Sequence, residues 1–210
     1  MRIETMMAYA GSQAAGTGMV LSSDGEVVTN PHVVEGAIAV EVTVMSTGRT
    51  QSARVVGTDA SADVVLLRLS GAAGLSTGRT DDDGVSLGDA VTAVGDAGGD
   101  EDTFSASTGT MTALRHFITT RSGGAAAGDR LTGLMQIGSD VVPGNSGGAT
   151  YDDEGEVVAT TTAASTGPSG IDGYAFPVAT VLRIVEDLHN GVTGDDDYAR
   201  PAFLGVGLAG

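Results

Sequence analysis

Ser146 lies in Val141-Val142-Pro143-Gly144-Asn145-Ser146-Gly147-Gly148, a single hydroxyl set among glycines. A serine hydroxyl is a poor nucleophile at its ordinary pKa and becomes useful only when a neighbouring base takes its proton. Three histidines are available for that task, His32, His116 and His189, and there is no cysteine to act in place of the serine. Two chain orders suit the chemistry. In the first, G-x-S-x-G marks a tight turn from a strand into a helix, with an acid and then a histidine downstream. In the second, a histidine and then an aspartate precede the serine.

The elements that must position these groups decide between the two orders. Short Val-rich segments separated by Gly/Asp/Ser turns read as strands: GTGMVLSS (16–23), GEVVTNPHVV (25–34), IAVEVTVMS (38–46), SARVVGTD (52–59), DVVLLRLS (63–70) and DAVTAVGD (89–96). A second set comes after the acidic loop near residue 100: FSASTGTMTALRHFITT (104–120), RLTGLMQIG (130–138), GGATYDDEGEVVATTTAAS (147–165) and GYAFPV (173–178). One segment, VATVLRIVEDLHNG (178–191), reads as a helix, with Val181, Leu182, Val185 and Leu188 at helical spacing and Gly191 as a stop. The segment after Ser146 is therefore a strand and a turn rather than a helix. The histidine downstream of it, His189, falls on the polar side of the last helix. The strand-to-helix order fails.

The second order holds. His32 stands in TNPHVVEGA, where Pro31 fixes the approach of the chain and withdraws a backbone donor. Asp63 stands in SADVVLLRL, directly before an apolar strand, with Asp59 four residues upstream as a rival acid. His116 flanks a strand. His189 sits at a helix C-terminus, where a positive group is favoured by a few tenths of a kcal/mol, about 0.3 or more.

Composition narrows the class further. The chain has 210 residues, 41% of them hydrophobic, which suits one large domain or one fold made of two small halves. Thirty-three glycines, with four Tyr, four Phe and no Trp, favour short strands and many turns. The net charge of −17 would repel phosphate backbones, so nucleic acid is excluded as a partner. The acids cluster at 81–83, 100–102, 152–154 and 195–197 and read as solvated loops, and no D-x-D-x-D-G calcium loop is present. Without cysteine there is no disulfide and no thiolate zinc site. No apolar run is long enough to cross a membrane, and no n-region and h-region open the chain, so a signal peptide is absent or already removed.

Taken together, GTGMVLSSDGEVVTNPHVVEGA, ARVVGTDASADVVLLRL, GDAVTAVGDAGG, STGTMTAL, PGNSGGATYDDEGEVVATTTA and GYAFPVATVLRIVEDL resemble, in this order, the trypsin-like serine proteases of the HtrA/DegP group. The resemblance spans residues 16–190. It departs from the group at Pro31, where an asparagine is frequent, and at IGSD (137–140), where a T-D pair is usual. The group's trimerising segment is not recognisable in MRIETMMAYAGS.

The resemblance implies an all-β fold of two perpendicular six-stranded β-barrels with a C-terminal helix and the site in the cleft between the barrels. Residues 1–12 would be an N-terminal extension, 13–98 the first barrel and 99–178 the second. Residues 179–191 would be the helix, and 192–210 a linker running into the start of a PDZ domain. His32 would be the general base, Asp63 rather than Asp59 its orienting acid, and Ser146 the nucleophile. The Gly144-Asn145-Ser146 turn would supply the oxyanion hole through the amides of Gly144 and Ser146. Thr161, Thr162 and Ala163 would pair with an extended peptide. Asp140, six residues before the nucleophile, and Val141 would line the pocket for the residue preceding the scissile bond.

The implied activity is endopeptidase cleavage of unfolded or exposed polypeptides, with no cofactor and no metal. The alternative on the same fold is a non-proteolytic or latent peptide-binding, chaperone-like module. The implied setting is extracytoplasmic, with no membrane contact within this chain. A PDZ domain or trimerisation would belong to the full-length protein.

Overall fold

The computed structural model describes residues 1–7, 13–96, 103–119, 130–139, 141, 144–167 and 170–191. The first sheet takes β1 (Arg2–Met7), β2 (Gln13–Thr17), β3 (Met19–Val20), β4 (Glu26–Thr29), β5 (Ala37–Val44), β6 (Arg49–Asp59) and β7 (Val64–Leu69), with the one-turn helix α1 (Pro31–Val34) between β4 and β5. Its order is β2-β1-β5-β6-β7-β4-β3. The two edges, β2 and β3, are one stretch of chain broken at Gly18. Counted as one strand they make six, and the bend at Gly18 brings the sheet round on itself. A Cβ at Gly18 would lie 2.6 Å from Val27 Cγ1 and 2.8 Å from Ile3 Cδ1, so this corner takes no side chain. Residues 2–7, expected within an extension, form β1 and pair with both β2 and β5.

The second unit is a closed barrel of β8 (Ala90–Gly95), β9 (Ser105–Thr119), β10 (Arg130–Gly138), β11 (Ala149–Tyr151), β12 (Val157–Gly167) and β13 (Gly170–Pro177), in the order β10-β13-β12-β11-β8-β9. The expected boundary at residue 98 is thereby corrected. β8 pairs with β9 and β11, not with the first sheet, and the crossover falls in the segment between β7 and β8. The acidic stretch near residue 100 falls in sequence between the paired strands β8 and β9, and its polarity mimics a boundary.

Side-chain alternation in β7 explains how the two units share a core. Val65, Leu67 and Leu69 point into the first sheet's own cluster with Ile3, Val27, Val40 and Val42. Val64 and Leu66 point the other way, into a cluster with Leu134, Val157 and Phe176 of the second barrel. A strand buried on both faces reads as a continuous apolar run, as Val64-Val65-Leu66-Leu67 does.

The last helix, α2 (Val178–His189), closes this shared core with Val178, Val181, Ile184, Val185 and Leu188. Leu182, expected on the apolar face, is exposed, and Ile184 takes its place. A register shift between Val55 and Gly57 bends β6 where Leu188 lands; a Cβ on Gly57 would approach Leu188 Cδ2 to 2.9 Å. His189 Nε2 lies 2.8 Å from Glu26 Oε1, which also accepts from Arg68 Nη2 at 2.7 Å, tying the helix end to the first sheet. Among the described residues, no helix is long and apolar enough to cross a membrane.

A buried ion pair joins the two units. Arg2 Nε and Nη2 donate to the two oxygens of Asp96 at 2.6 and 2.8 Å. Asp96→Ala would leave the guanidinium buried without this partner, and the expected loss is about 3–5 kcal/mol. Urea unfolding measures it. Replacing both partners, Arg2→Met with Asp96→Leu, is expected to recover most of that loss.

Candidate active site

The segment carrying His32 begins where β4 stops. Asn30 is the extended residue before α1, and Pro31 occupies its first turn, where a missing N–H costs nothing. Val33 is buried against Gly16, where a Cβ would lie 2.7 Å from Val33 Cγ2, so the turn is anchored while the neighbouring His32 stays half-exposed. His32 Nδ1 stands 3.7 Å from Asp63 Oδ1, an ionic approach longer than a hydrogen bond.

Asp63 is held in the left-handed region, φ 52°, and is the one non-glycine residue with positive φ among the described residues. Local strain of this kind persists where the surroundings over-determine the backbone. They do so here. Asp59 Oδ1 accepts from Ser61 Oγ at 2.6 Å and from the Ala62 amide at 3.2 Å, and the Asp63 amide donates to the Ala60 carbonyl at 3.3 Å. Asp59, the rival acid, thus caps the turn that presents Asp63. Asn30 Nδ2 donates to the Asp63 carbonyl at 2.7 Å and ties the histidine segment to the aspartate. Sequence reasoning missed Asn30; its position in the TNPH run was the available signal.

The loop around Ser146 is pinned at three successive carbonyls. That of Gly144 accepts from Thr17 Oγ1 at 2.7 Å, that of Asn145 from the Gly148 amide at 2.9 Å, and that of Ser146 from the Thr17 amide at 2.9 Å. In a trans peptide the N–H points opposite to the preceding carbonyl. Fixing the Asn145 carbonyl therefore fixes the Ser146 amide. Among the described residues, no acceptor engages the amides of Gly144 and Ser146. Gly144 has φ 102° and Gly147 φ 79°, values that side chains rarely tolerate.

A Cβ on Gly147 would collide with the Thr17 carbonyl and Thr29 Oγ1. The loop is thus seated on the end of β4, three residues before His32. Ser146 Oγ makes a long 3.4 Å contact with the Thr162 carbonyl. The side chain of Asn145 is buried, with Oδ1 accepting from Ser105 Oγ at 3.3 Å.

The expected substrate strand divides. The Thr161 carbonyl and amide are bonded to the Gly147 amide and the Gly148 carbonyl, both at 2.8 Å, so Thr161 braces the Ser146 loop. β12 has a register shift between Thr161 and Ala163, which sets Thr162 as an extra residue opposite β13. Val141 is buried against Gly173, where a Cβ would lie 2.5 Å from Val141 Cγ2. Asp140 lies outside the described residues, as do the acids at 100–102 and 195–197 and the expected PDZ start at 192–210.

The other candidate groups are engaged elsewhere. His116 stacks on Tyr174 at 5.4 Å and Phe117 at 5.9 Å, and His189 faces Glu26. Asp81, Asp152 and Glu156 bring carboxylate oxygens within 4.8 Å of one another. Their partners are local: Glu156 pairs with Arg79, Asp152 accepts from the amides of Glu154 and Glu156, and Asp81 accepts from the Gly84 amide.

Residues 16–159 match the family model described as trypsin-like peptidase domain, and the chain belongs to that family. Its relatives there are of the HtrA/DegP type. The chain is 32% identical over 176 residues to putative serine protease HhoB of Synechocystis sp., covering 84% of this chain and 40% of the relative. It is 35% identical over 182 residues to Protease Do-like 1, chloroplastic, of Arabidopsis thaliana, covering 84% and 39%. It is 32% identical over 196 residues to a probable periplasmic serine endoprotease DegP-like of Pseudomonas putida, covering 93% and 38%. The chain thus spans about two fifths of the length of these curated relatives. A solved HtrA-type protease, AlgW with tripeptide, superposes with a TM-score of 0.72 at 26% identity, covering 90% of this chain and 60% of that one.

Gly147→Ala tests the seating of the loop. Its backbone alone would cost about 1–3 kcal/mol, and its methyl would collide with the carbonyl of Thr17. The expected outcome is a lowered Tm in calorimetry together with loss of fluorophosphonate labelling.

Proposed function

We propose that this chain is a serine endopeptidase of the HtrA/DegP type, acting on unfolded or exposed polypeptides. One observation carries the reading. The loop holding Ser146 is hydrogen-bonded to Thr17, whose carbonyl in turn accepts from Thr29 at 2.8 Å, at the end of the strand that leads into His32 and its partner Asp63.

The groups present supply the chemistry. His32 Nδ1 faces Asp63, which leaves Nε2 to take the proton of Ser146 Oγ. The serine oxygen then adds to the scissile carbonyl carbon. The oxyanion is received by the amides of Gly144 and Ser146, on the Gly144-Asn145-Ser146 turn. Asp63 holds the imidazole tautomer and stabilises the imidazolium. When the carbon–nitrogen bond breaks, His32 returns the proton to the leaving amine. Water, deprotonated by His32, then cleaves the acyl-enzyme and restores the hydroxyl. Losing one oxyanion donor costs about 3–4 kcal/mol in the barrier.

Substrate backbone would be taken by β-addition at Thr162 and Ala163, with Thr161 behind them as a brace. The relatives' descriptions as periplasmic and chloroplastic proteases support an extracytoplasmic setting. Oligomerisation and a PDZ domain would belong to a longer chain.

Ser146→Ala is expected to lower casein hydrolysis by at least about a thousandfold with an unchanged circular dichroism spectrum. Turnover that survives would reassign the nucleophile, and a wild-type protein that binds peptide without labelling or turnover would be a binding module instead. Specificity is expected to favour Val, Ala or Leu before the scissile bond, because Val141 is aliphatic and packed on Gly173. Cleavage-site profiling of a denatured protein reads this. A basic preference that disappears in Asp140→Ala would place Asp140 in the pocket.

A further inference from the structure

Thr17 has no place in the chemistry above, yet each of its polar groups is committed. Its side chain and backbone are buried, with 3% of the residue exposed. Its amide donates to the Ser146 carbonyl at 2.9 Å, and its carbonyl accepts from Thr29 Oγ1 at 2.8 Å. Its hydroxyl donates to the Gly144 carbonyl at 2.7 Å and accepts from the Asp96 amide at 2.8 Å. The Asp96 amide uses the hydroxyl's lone pair, so the hydroxyl proton is directed at Gly144. Asp96 is itself fixed by the two-point contact with Arg2.

We infer that the Thr17 hydroxyl is a positioning group that sets the Gly144–Asn145 peptide plane and so holds the nucleophile loop in its reactive shape. The inference rests on the reading of Ser146 as the nucleophile. The backbone bond from Thr17 fixes the peptide plane after Ser146, and the Gly148 amide fixes the plane before it. The plane between Gly144 and Asn145 is held by the side chain. Gly144, with φ 102°, has no Cβ to resist rotation of that plane. The hydroxyl supplies the restraint that a side chain on Gly144 would otherwise give. Thr17 touches the loop and not the substrate, so its removal acts on the chemical step more than on binding.

Three variants and a reporter test this. Thr17→Val keeps the shape and removes the hydroxyl, whereas Thr17→Ser keeps the hydroxyl. Thr17→Ala serves if the valine, set against two polar groups, prevents folding. The readouts are fluorophosphonate acylation rate and the kcat and KM of a peptide substrate, on protein checked by circular dichroism. Folded Thr17→Val, or Thr17→Ala in its place, is expected to acylate about ten- to a hundredfold more slowly. The loss should lie in kcat with KM nearly unchanged, and Thr17→Ser should restore the rate to within about threefold.

Acylation of the hydroxyl-free variant at the wild-type rate, or a serine variant as slow as it, overturns the inference while the proposed function stands. Wild-type protein that fails to acylate overturns the proposed function and the inference together. The Ser146→Ala control shows which residue carries the label.

Discussion

The buried contact between Arg2 and Asp96 is the constraint on which the arrangement of the two units depends. Side chains of this length are normally solvated, and burying either charge alone would be unfavourable by several kcal/mol, roughly 3 or more. Each therefore specifies the position of the other. Arg2 lies on β1 and Asp96 immediately follows β8, so the pair fixes the first sheet against the second barrel at one point. Apolar packing at the shared core tolerates small slides. A two-point guanidinium–carboxylate contact adds a geometric specificity that apolar packing lacks. Next to this point lies Thr17, and through it the Ser146 loop.

Small residues make the rest of the seam possible. The glycines at 95, 147 and 148 each lie where a Cβ would meet backbone atoms of another segment. The backbones of β2, β8 and the Ser146 loop thereby approach more closely than side chains would permit. The glycine-rich composition, which suggests turns when read as a list, is in part a requirement for close approach between strands. The pairing of such seams with an apolar core shared by α2 gives a rigid frame around a half-exposed histidine.

Much of this was legible in the sequence, for identifiable reasons. Ser146, His32 and Asp63 stood out because each sits beside a local signal: glycines, a proline and an apolar run. The structure sets His32 and Asp63 3.7 Å apart, and it seats the Ser146 loop on the strand leading to His32. The helix was legible from its period, although Leu182 and Ile184 exchanged faces, since a two-residue ambiguity on a short helix is not resolved by periodicity alone.

β1 was not legible, because RIETMM has Ile3 as its main core residue and its register is supplied by two partners far along the chain. The assignment of β8 was hidden for a similar reason: acidic residues between two strands that pair in the fold resemble a boundary in sequence. Thr17 could not be found from type or spacing, and for Asn30 the sequence offered only its place in the TNPH run. Their importance lies in which carbonyls they reach, and that depends on segments that meet only in the fold.

The hydrogen bond from Thr17 to Gly144 spans 127 positions of sequence. A chain made from its N-terminus completes β1 through β7 long before Gly144 emerges, so the first sheet can form its own cluster early. The loop that presents Ser146 has no such autonomy. It needs a finished surface on the first sheet and a second barrel able to close around it. The contacts that shape the hydroxyl's surroundings therefore form only once the first sheet is already available to receive them.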